Sequence, residues 1–294
     1  MLSVCTTLFV PASSPKRILD AGLFGADCVL FDLEDAVLEG QKEDARYVIR
    51  HFVGSGLCTY RWGVRVNHIH SPYFRDDLKA IVPLKPFVVE LPKAESADDV
   101  LALSDILEEI ESNSGFPPGE IRISPAIESP AALMRAFEIA ASCKRVATVP
   151  FGAEDYLTAV GGRRTESRVE IDYARKRFVT EVAAAGKAAI DAPFTDVEDL
   201  RGLLEEAEYA RDLGYAGKDS VAPSQIAVIK KAFAPRESEI RYARRIVDAM
   251  KEAEGSGIGA LALDGQMLDA PLLASAKRTL TMTGELDLGE GTGR

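Results

Sequence analysis

Cys28-Val29-Leu30-Phe31-Asp32-Leu33-Glu34-Asp35 is a short apolar run that ends in three acidic groups, and the arrangement returns where Val149-Pro150-Phe151 leads into Gly152-Ala153-Glu154-Asp155. An apolar run without polar alternation is how a strand buried on both faces reads, as in a parallel sheet covered by helices. Working outward, similar runs occupy Cys5 to Val10, Arg61 to Val66, Phe87 to Leu91, Arg122 to Ala126, Val146 to Phe151, Ala188 to Asp191 and Asp219 to Val221. Helical patterns fall between them: Pro15 to Leu23, Gln41 to Phe52, Ala97 to Asn113, Pro130 to Ala141, Glu170 to Ala185 and Asp199 to Leu213. Asp199 and the Ser129-Pro130 pair are ordinary helix starts. Eight such β/α units predict a closed (β/α)8 TIM barrel. The alternative is an open doubly wound sheet, but no Gly-x-Gly-x-x-Gly turn follows the first strand, where Pro11-Ala12-Ser13-Ser14 stands.

A chain of 294 residues suits one barrel with an appended segment. The pattern changes after Phe233, giving a barrel over residues 1–234 and a C-terminal helical lid or oligomerisation segment over 235–283. That segment holds a charged amphipathic helix from Ser238 to Glu252, the hinge-like Gly255-Ser256-Gly257-Ile258-Gly259, and a last helix to Thr281. Residues 284–294 are polar and glycine-rich and read as a disordered tail.

The net charge of −11 argues against nucleic acid and anionic membranes as partners, since both demand clustered Lys and Arg. No basic stretch precedes an apolar one at the N-terminus, and no run approaches the roughly 18 apolar residues of a membrane span, so a soluble cytoplasmic protein is expected. Cys5, Cys28, Cys58 and Cys143 are widely spaced and read as free thiols. His51, His68 and His70 do not combine into a metal site and read as structural or surface residues.

The polar residues cluster behind different strands: Asp32, Glu34 and Asp35; Arg65 and Asn67; Lys93 and Glu95; Glu128; Glu154 and Asp155. In a barrel those ends converge on one face, where catalytic groups gather. Carboxylates brought together there repel one another unless a cation lies between them, and a hard divalent ion with oxygen ligands is the usual one. The chain therefore reads as a metal enzyme.

Six stretches in order carry a resemblance: Phe31-Asp32-Leu33-Glu34-Asp35-Ala36-Val37, Arg65-Val66-Asn67, Leu91-Pro92-Lys93-Ala94-Glu95-Ser96, Ala126-Ile127-Glu128-Ser129, Phe151-Gly152-Ala153-Glu154-Asp155 and Gly265-Gln266-Met267-Leu268-Asp269. The chain resembles the citrate lyase beta-subunit-like family of the HpcH/HpaI aldolase superfamily, which also holds malyl-CoA and citramalyl-CoA lyases. The resemblance implies a Mg2+-bearing barrel, with Mn2+ as an alternative ion, that makes or breaks a carbon–carbon bond beside an acyl thioester. It implies Glu128 and Asp155 as metal ligands, Arg65 on the substrate, and Asp269 reaching over from a neighbouring subunit in a homo-oligomer, a trimer or a hexamer.

On chemical grounds, Asp32, Glu34, Asp35, Lys93 and Glu154 suit contacts to metal-bound waters or to one another. Arg65 suits a developing enolate oxygen or a substrate carboxylate. Asp269 is the candidate proton donor, although an Asp ahead of Ala270-Pro271 is also an ordinary helix cap. CoA ends in phosphates, for which Lys16, Arg17, Arg163 and Arg164 are the candidates.

Three readings follow from the resemblance. One is a lyase acting on malyl-, citramalyl- or citryl-CoA and releasing an acetyl thioester and a 2-oxo acid. Another is the beta subunit of a citrate lyase complex acting on a citryl-acyl-carrier protein. The third is a catalytically silent paralogue that binds a CoA thioester. The superfamily's pyruvate aldolases carry a catalytic histidine in the second-strand loop, where this chain has Asp35. Two departures touch the active face: Ala222 in Val221-Ala222-Pro223-Ser224-Gln225 replaces the family's usual histidine, and Ala12-Ser13-Ser14 replaces a Gly-Asn or Ser-Asn pair.

Overall fold

The structure, a computed structural model, describes residues 5–256 and 261–286. Contacts divide it into two compact units that meet in sequence between Phe233 and Ala234.

The first unit carries eight parallel strands: β1 (Thr6–Pro11), β2 (Cys28–Asp32), β3 (Trp62–Arg65), β4 (Val88–Leu91), β5 (Arg122–Pro125), β6 (Thr148–Pro150), β7 (Ala188–Asp191) and β8 (Gly217–Ser220). Their order is β5-β4-β3-β2-β1-β8-β7-β6, and parallel bridges Ile123↔Val146 and Ile127↔Phe151 bring the end strands together into a nearly closed barrel. Every residue of β2 is buried, as its apolar run requires of a strand covered on both sides. Helices α1 (Pro15–Asp20), α2 (Lys42–Gly54), α3 (Phe74–Ile81), α4 (Ala97–Asn113), α5 (Pro130–Leu133), α6 (Ala136–Ala141), α7 (Ala153–Val160), α8 (Val169–Ala184), α9 (Leu200–Leu213) and α10 (Pro223–Phe233) surround it. Between strands and helices lies the core, with Phe31, Phe151 and Phe178 among its largest fully buried side chains.

Several elements differ from the sequence expectation. The helix expected over Pro130 to Ala141 is two, because Met134 and Arg135 form a turn between them in which the Arg135 N–H donates to Ala132 O, three residues back. The expected helix Pro15 to Leu23 stops at Asp20, followed by a 3-10 turn over Ala21–Phe24. β8 begins two residues before the expected Asp219, since Gly217-Lys218-Asp219-Ser220 is a polar sequence buried along its whole length. Lys218 is tolerated there because its ammonium meets Asp191 at 2.6 Å and Glu206 at 2.5 Å.

The second unit holds α11 (Glu237–Ser256), a hairpin of β9 (Leu261–Leu263) and β10 (Gln266–Leu268), and α12 (Ala270–Met282). Asp264 and Gly265 turn the hairpin at φ 53° and 80°, the left-handed pair that suits a two-residue type I′ turn. Ile240, Ile246 and Val247 of α11 pack with Leu268, Ala276 and Leu280. Gly255 and Ser256, expected in a hinge, end α11, while Gly257, Ile258 and Gly259 lie outside the described residues. Of the expected disordered tail, Glu285 takes two hydrogen bonds of 2.6 Å from Arg244, and residues 287–294 lie outside the described residues. No described helix is long and apolar enough to cross a membrane.

Candidate active site

β2 delivers Asp32 to the carboxyl end of the barrel, and the loop behind it carries Glu34 and Asp35. Asp32 is fully engaged: it accepts from Arg65 Nε and Nη2 at 2.8 and 2.6 Å and from the backbone N–H groups of Glu34 and Ala36. Arg65 ends β3, lies over the Phe9 ring, and brings Nη1 to 3.2 Å from Glu34 Oε2. Glu34 Oε2 is nevertheless buried without a hydrogen bond, and burial lifts this carboxyl above its ordinary range against the pull of Arg65 and Lys93.

The loop is clamped from below. Lys42, the first residue of α2, is buried and donates from Nζ to the carbonyls of Leu33 and Glu34, each at 2.7 Å. Asn67 donates to the Leu33 carbonyl and to Asp77, which Arg46 also holds. Sequence reading missed Lys42 and Asp77. A lysine and an acid among apolar helix positions were the available signal, but neither names its partner.

Behind β4, Lys93 adopts φ 52°, sends its backbone N–H to Glu128 Oε1 at 3.3 Å, and pairs its ammonium with Glu34 and with Asp35 at 3.3 Å. Burial works against the Lys93 charge, yet Glu34 and then Asp35 hold its pKa above the usual range. Asp35 itself is exposed.

Glu128 follows β5 and is only 6% exposed. It has little to offset that burial: its carboxyl is pushed up to about 8, by desolvation first and then by the charges of Glu34 and Asp155. Gly152 makes the room it occupies, for a Cβ there would lie 2.5 Å from Glu128 Cγ. Asp155 sits exposed in the first turn of α7, behind β6, close enough to repel Glu128. Glu154 turns away to pair with Arg164.

A cation suits this arrangement. Three carboxylates influence one another, one of them is buried with a single long hydrogen bond, and a neighbouring carboxylate oxygen is buried with none. Glu128 and Asp155 are the residues that would hold a divalent ion, with Glu34 beside them. Among the described residues no group of three or more acidic, histidine or cysteine side chains is placed to hold a metal ion by itself.

The four phosphate candidates lie in two separate segments. Lys16 and Arg17 lie exposed on α1, whose six residues make a small dipole, and Arg163 is exposed in the loop before α8. Arg164 already pairs with Glu154, and with Glu170 at 3.6 Å. Asp269 is the N-cap of α12, its Oδ1 accepting from the Leu272 N–H at 2.9 Å, and is exposed. His51 packs at a tilt against the Tyr47 ring, while His68 Nδ1 accepts from the His70 N–H in the β3 loop. Beside Ala222, Gln225 accepts from the Val221 and Ala222 N–H groups and donates to Phe194 O, tying the β8 loop to the β7 loop.

The family model described as HpcH/HpaI aldolase/citrate lyase matches residues 6–223. The chain belongs to the HpcH/HpaI aldolase/citrate lyase family. Citrate lyase subunit beta of Leuconostoc mesenteroides subsp. cremoris is 35% identical over 293 residues, 98% of this chain and 96% of that protein. The mitochondrial citramalyl-CoA lyase of Homo sapiens is 29% identical over 287 residues, 94% of this chain and 84% of that protein. Among solved structures, protein CitE from Mycobacterium tuberculosis in complex with magnesium, acetoacetate and coenzyme A superposes with a TM-score of 0.79 at 32% identity, covering 97% of this chain and all of that one. The same organism's citrate lyase beta subunit, complexed with oxaloacetate and magnesium, gives 0.68 at 33% identity over 80% of this chain and 99% of that one. This HpcH/HpaI member thus shares its barrel with relatives solved around magnesium, and its acidic cluster lies at the carboxyl ends of β2, β5 and β6.

Proposed function

We propose that this chain is a Mg2+-dependent carbon–carbon lyase that cleaves a 3-hydroxy-carboxyacyl thioester of the malyl-, citramalyl- or citryl-CoA type into an acetyl thioester and a 2-oxo acid. The observation that carries the reading is Glu128: a carboxylate buried beside Gly152 and repelled by Glu34 and Asp155 calls for a cation to satisfy its charge. Relatives named as citrate lyase beta subunits and citramalyl-CoA lyase, and one solved with magnesium and coenzyme A, support it.

Glu128 and Asp155 would hold the ion, which when bound supplies Lewis acidity to the substrate's hydroxyl and neighbouring carboxylate. The remaining work falls to the chain's own groups. Cleavage takes the hydroxyl proton to solvent, forms the carbonyl of the 2-oxo acid, breaks the adjacent carbon–carbon bond, and leaves its electron pair as a thioester enolate. Arg65 offers a fixed cation to the enolate oxygen or the substrate carboxylate, because Asp32 locks its Nε and Nη2 and leaves Nη1 without a hydrogen bond to Asp32, 3.2 Å from Glu34 Oε2. Lys93 offsets Glu34 and presents its backbone N–H to Glu128. The enolate carbon takes its proton from Asp269, supplied by the C-terminal segment of a neighbouring copy in a homo-oligomer, the role the family motif assigns.

A second reading is the beta subunit of a citrate lyase complex, favoured by the higher identity to citrate lyase subunit beta, 35% against 29% for citramalyl-CoA lyase. Malyl-, citramalyl- and citryl-CoA offered with Mg2+, then with EDTA, then to Asp155→Ala, test the first reading. Turnover of one thioester that both treatments abolish is expected. Silence across the panel, with activity appearing on a citryl-acyl-carrier protein, transfers the assignment to the complex; silence on both substrates refutes the lyase.

A further inference from the structure

Glu90 is a buried carboxylate that takes no part in the site described above. It is 5% exposed, and no described residue donates to it or forms an ion pair with it. Arg65, opposite it on β3, gives Nε and Nη2 to Asp32 and brings Nη1 to Glu34 instead. Side chains alternate across a strand, so Glu90 shares a face of β4 with Val88. Val89 belongs to the core between strands and helices, whereas Val88 packs with Cys28, Leu30 and Phe9 in a separate small cluster. That cluster fills the barrel lumen, and Glu90 therefore faces the lumen as well.

The lumen encloses a cavity of about 30 Å³, lined by Glu90, Thr7, Ser124 and Thr148 among apolar neighbours such as Leu30 and Ile190. It has room for an occupant of water's size. No cationic side chain lines it, and its charged and hydroxyl groups all present oxygens. Ser124 Oγ and Thr148 Oγ1 lie 2.9 Å apart, and whichever of them donates, each oxygen keeps a lone pair for a further partner. The charges felt most strongly at Glu90 are three acids, Asp219, Glu128 and Asp32, against the single cation Arg65. A buried carboxylate in that setting is costly unless a positive partner offsets it.

We propose that the barrel lumen is a binding site for a monovalent alkali cation, held by the Glu90 carboxylate and the hydroxyls of Thr7, Ser124 and Thr148. Carboxylate and hydroxyl oxygens suit a hard ion. A monovalent ion fits better than magnesium, because one carboxylate lines the cavity and its apolar walls leave no place for the waters that Mg2+ keeps. The ion joins β4 through Glu90, β1 through Thr7, β5 through Ser124 and β6 through Thr148. β5 and β6 are the two end strands of the sheet, brought together by isolated bridges rather than a continuous ladder, so the cation strengthens the seam at which the barrel closes. The site stands independently of the reaction that the chain catalyses.

Thermal melts of the magnesium-free protein test it, with NaCl replacing choline chloride at constant ionic strength, since choline is too large for the cavity. Wild-type Tm should rise saturably, by about 2–5 °C once sodium is in roughly tenfold excess over its dissociation constant. Glu90→Gln removes the charge and should abolish the rise. Ser124→Ala removes one oxygen and should move the sodium midpoint roughly threefold or more upward. Glu128→Gln, at the mouth of the barrel, should leave the sodium response in place. Equal melting in the two salts overturns the site, because water or a proton then occupies the lumen. A sodium response that survives in Glu90→Gln, or one that Glu128→Gln abolishes, also overturns it and places the ion elsewhere. Should Glu90→Gln fail to fold, a midpoint that Ser124→Ala leaves unchanged is the overturning result.

Discussion

Arg65 and Asp32 are joined by two parallel hydrogen bonds, Nε to Oδ1 at 2.8 Å and Nη2 to Oδ2 at 2.6 Å, with Asp32 1% exposed. The fork geometry fixes where the cation points, and it is a geometry an ammonium cannot reproduce. Arg65→Lys keeps the charge but loses the fork. It should lower kcat/KM by about 10²–10³, while Mg2+ affinity measured by calorimetry changes little. An equal loss of metal binding would place Arg65 in the scaffold of the metal site instead.

Gly152 separates α7 from Glu128 by less than a methyl group's room. Gly152→Ala should displace the carboxylate, weakening Mg2+ binding at least about tenfold and costing about 1–3 kcal/mol from overpacking. Calorimetric titration beside a denaturant melt checks both, and unchanged metal affinity would show that Glu128 is not a ligand.

Glu128 makes the magnesium-free protein sensitive to pH. Its carboxyl is raised from 4.5 to about 8, so the native state binds the proton more tightly than the unfolded chain. That contribution is complete below 4.5 and is lost as pH rises through 8. Tm in EDTA should fall by a few °C across that window. Magnesium displaces the proton, so its stabilising effect should grow with pH. A Tm in EDTA that holds steady from acid to pH 8 contradicts the assignment.

Lys42 supports the acidic loop rather than a reacting atom. Its buried ammonium bonds the Leu33 and Glu34 carbonyls, and Lys42→Met would leave both without that donor. Hydrogen bonds to charged groups are worth about 1.5–3 kcal/mol each, so a loss of about 2–4 kcal/mol in urea melts is expected. A loss under about 0.5 kcal/mol, the size of an ordinary surface substitution, would mean that water replaces the clamp.

The reach of sequence reasoning followed the kind of signal each feature left. Apolar runs such as Val29-Leu30-Phe31 marked their strands because covered parallel strands need no alternation. β8 was misplaced because Lys218 is buried against partners on other elements, Asp191 and Glu206, which no local pattern announces. The acidic cluster was legible because strand ends converge in a barrel. Its internal economy was not: the Asp32–Arg65 fork, the Lys42 clamp and the Arg164–Glu154 pair, which engages one of the phosphate candidates, are all choices among equally charged neighbours. Glu90 lies inside a run read only as apolar, Phe87 to Leu91, and it is the register that sets it opposite Arg65.

Asp269 carries two roles that one substitution separates. As N-cap of α12 it accepts the Leu272 N–H through Oδ1, a task asparagine performs about equally well, whereas alanine costs about 1 kcal/mol. As proton donor to an enolate carbon it needs an acid, which asparagine is not. Asp269→Asn should therefore melt like wild type yet lose about 10²–10⁴ in kcat, and Asp269→Ala should lose both stability and turnover. If the acid comes from a neighbouring copy, mixing inactive Asp269→Asn with inactive Asp155→Ala should restore activity in mixed oligomers, and specific activity should fall on dilution below the dissociation constant of the oligomer. Full activity in Asp269→Asn would leave the residue as a helix cap alone and send the search for the donor back to the mouth of the barrel.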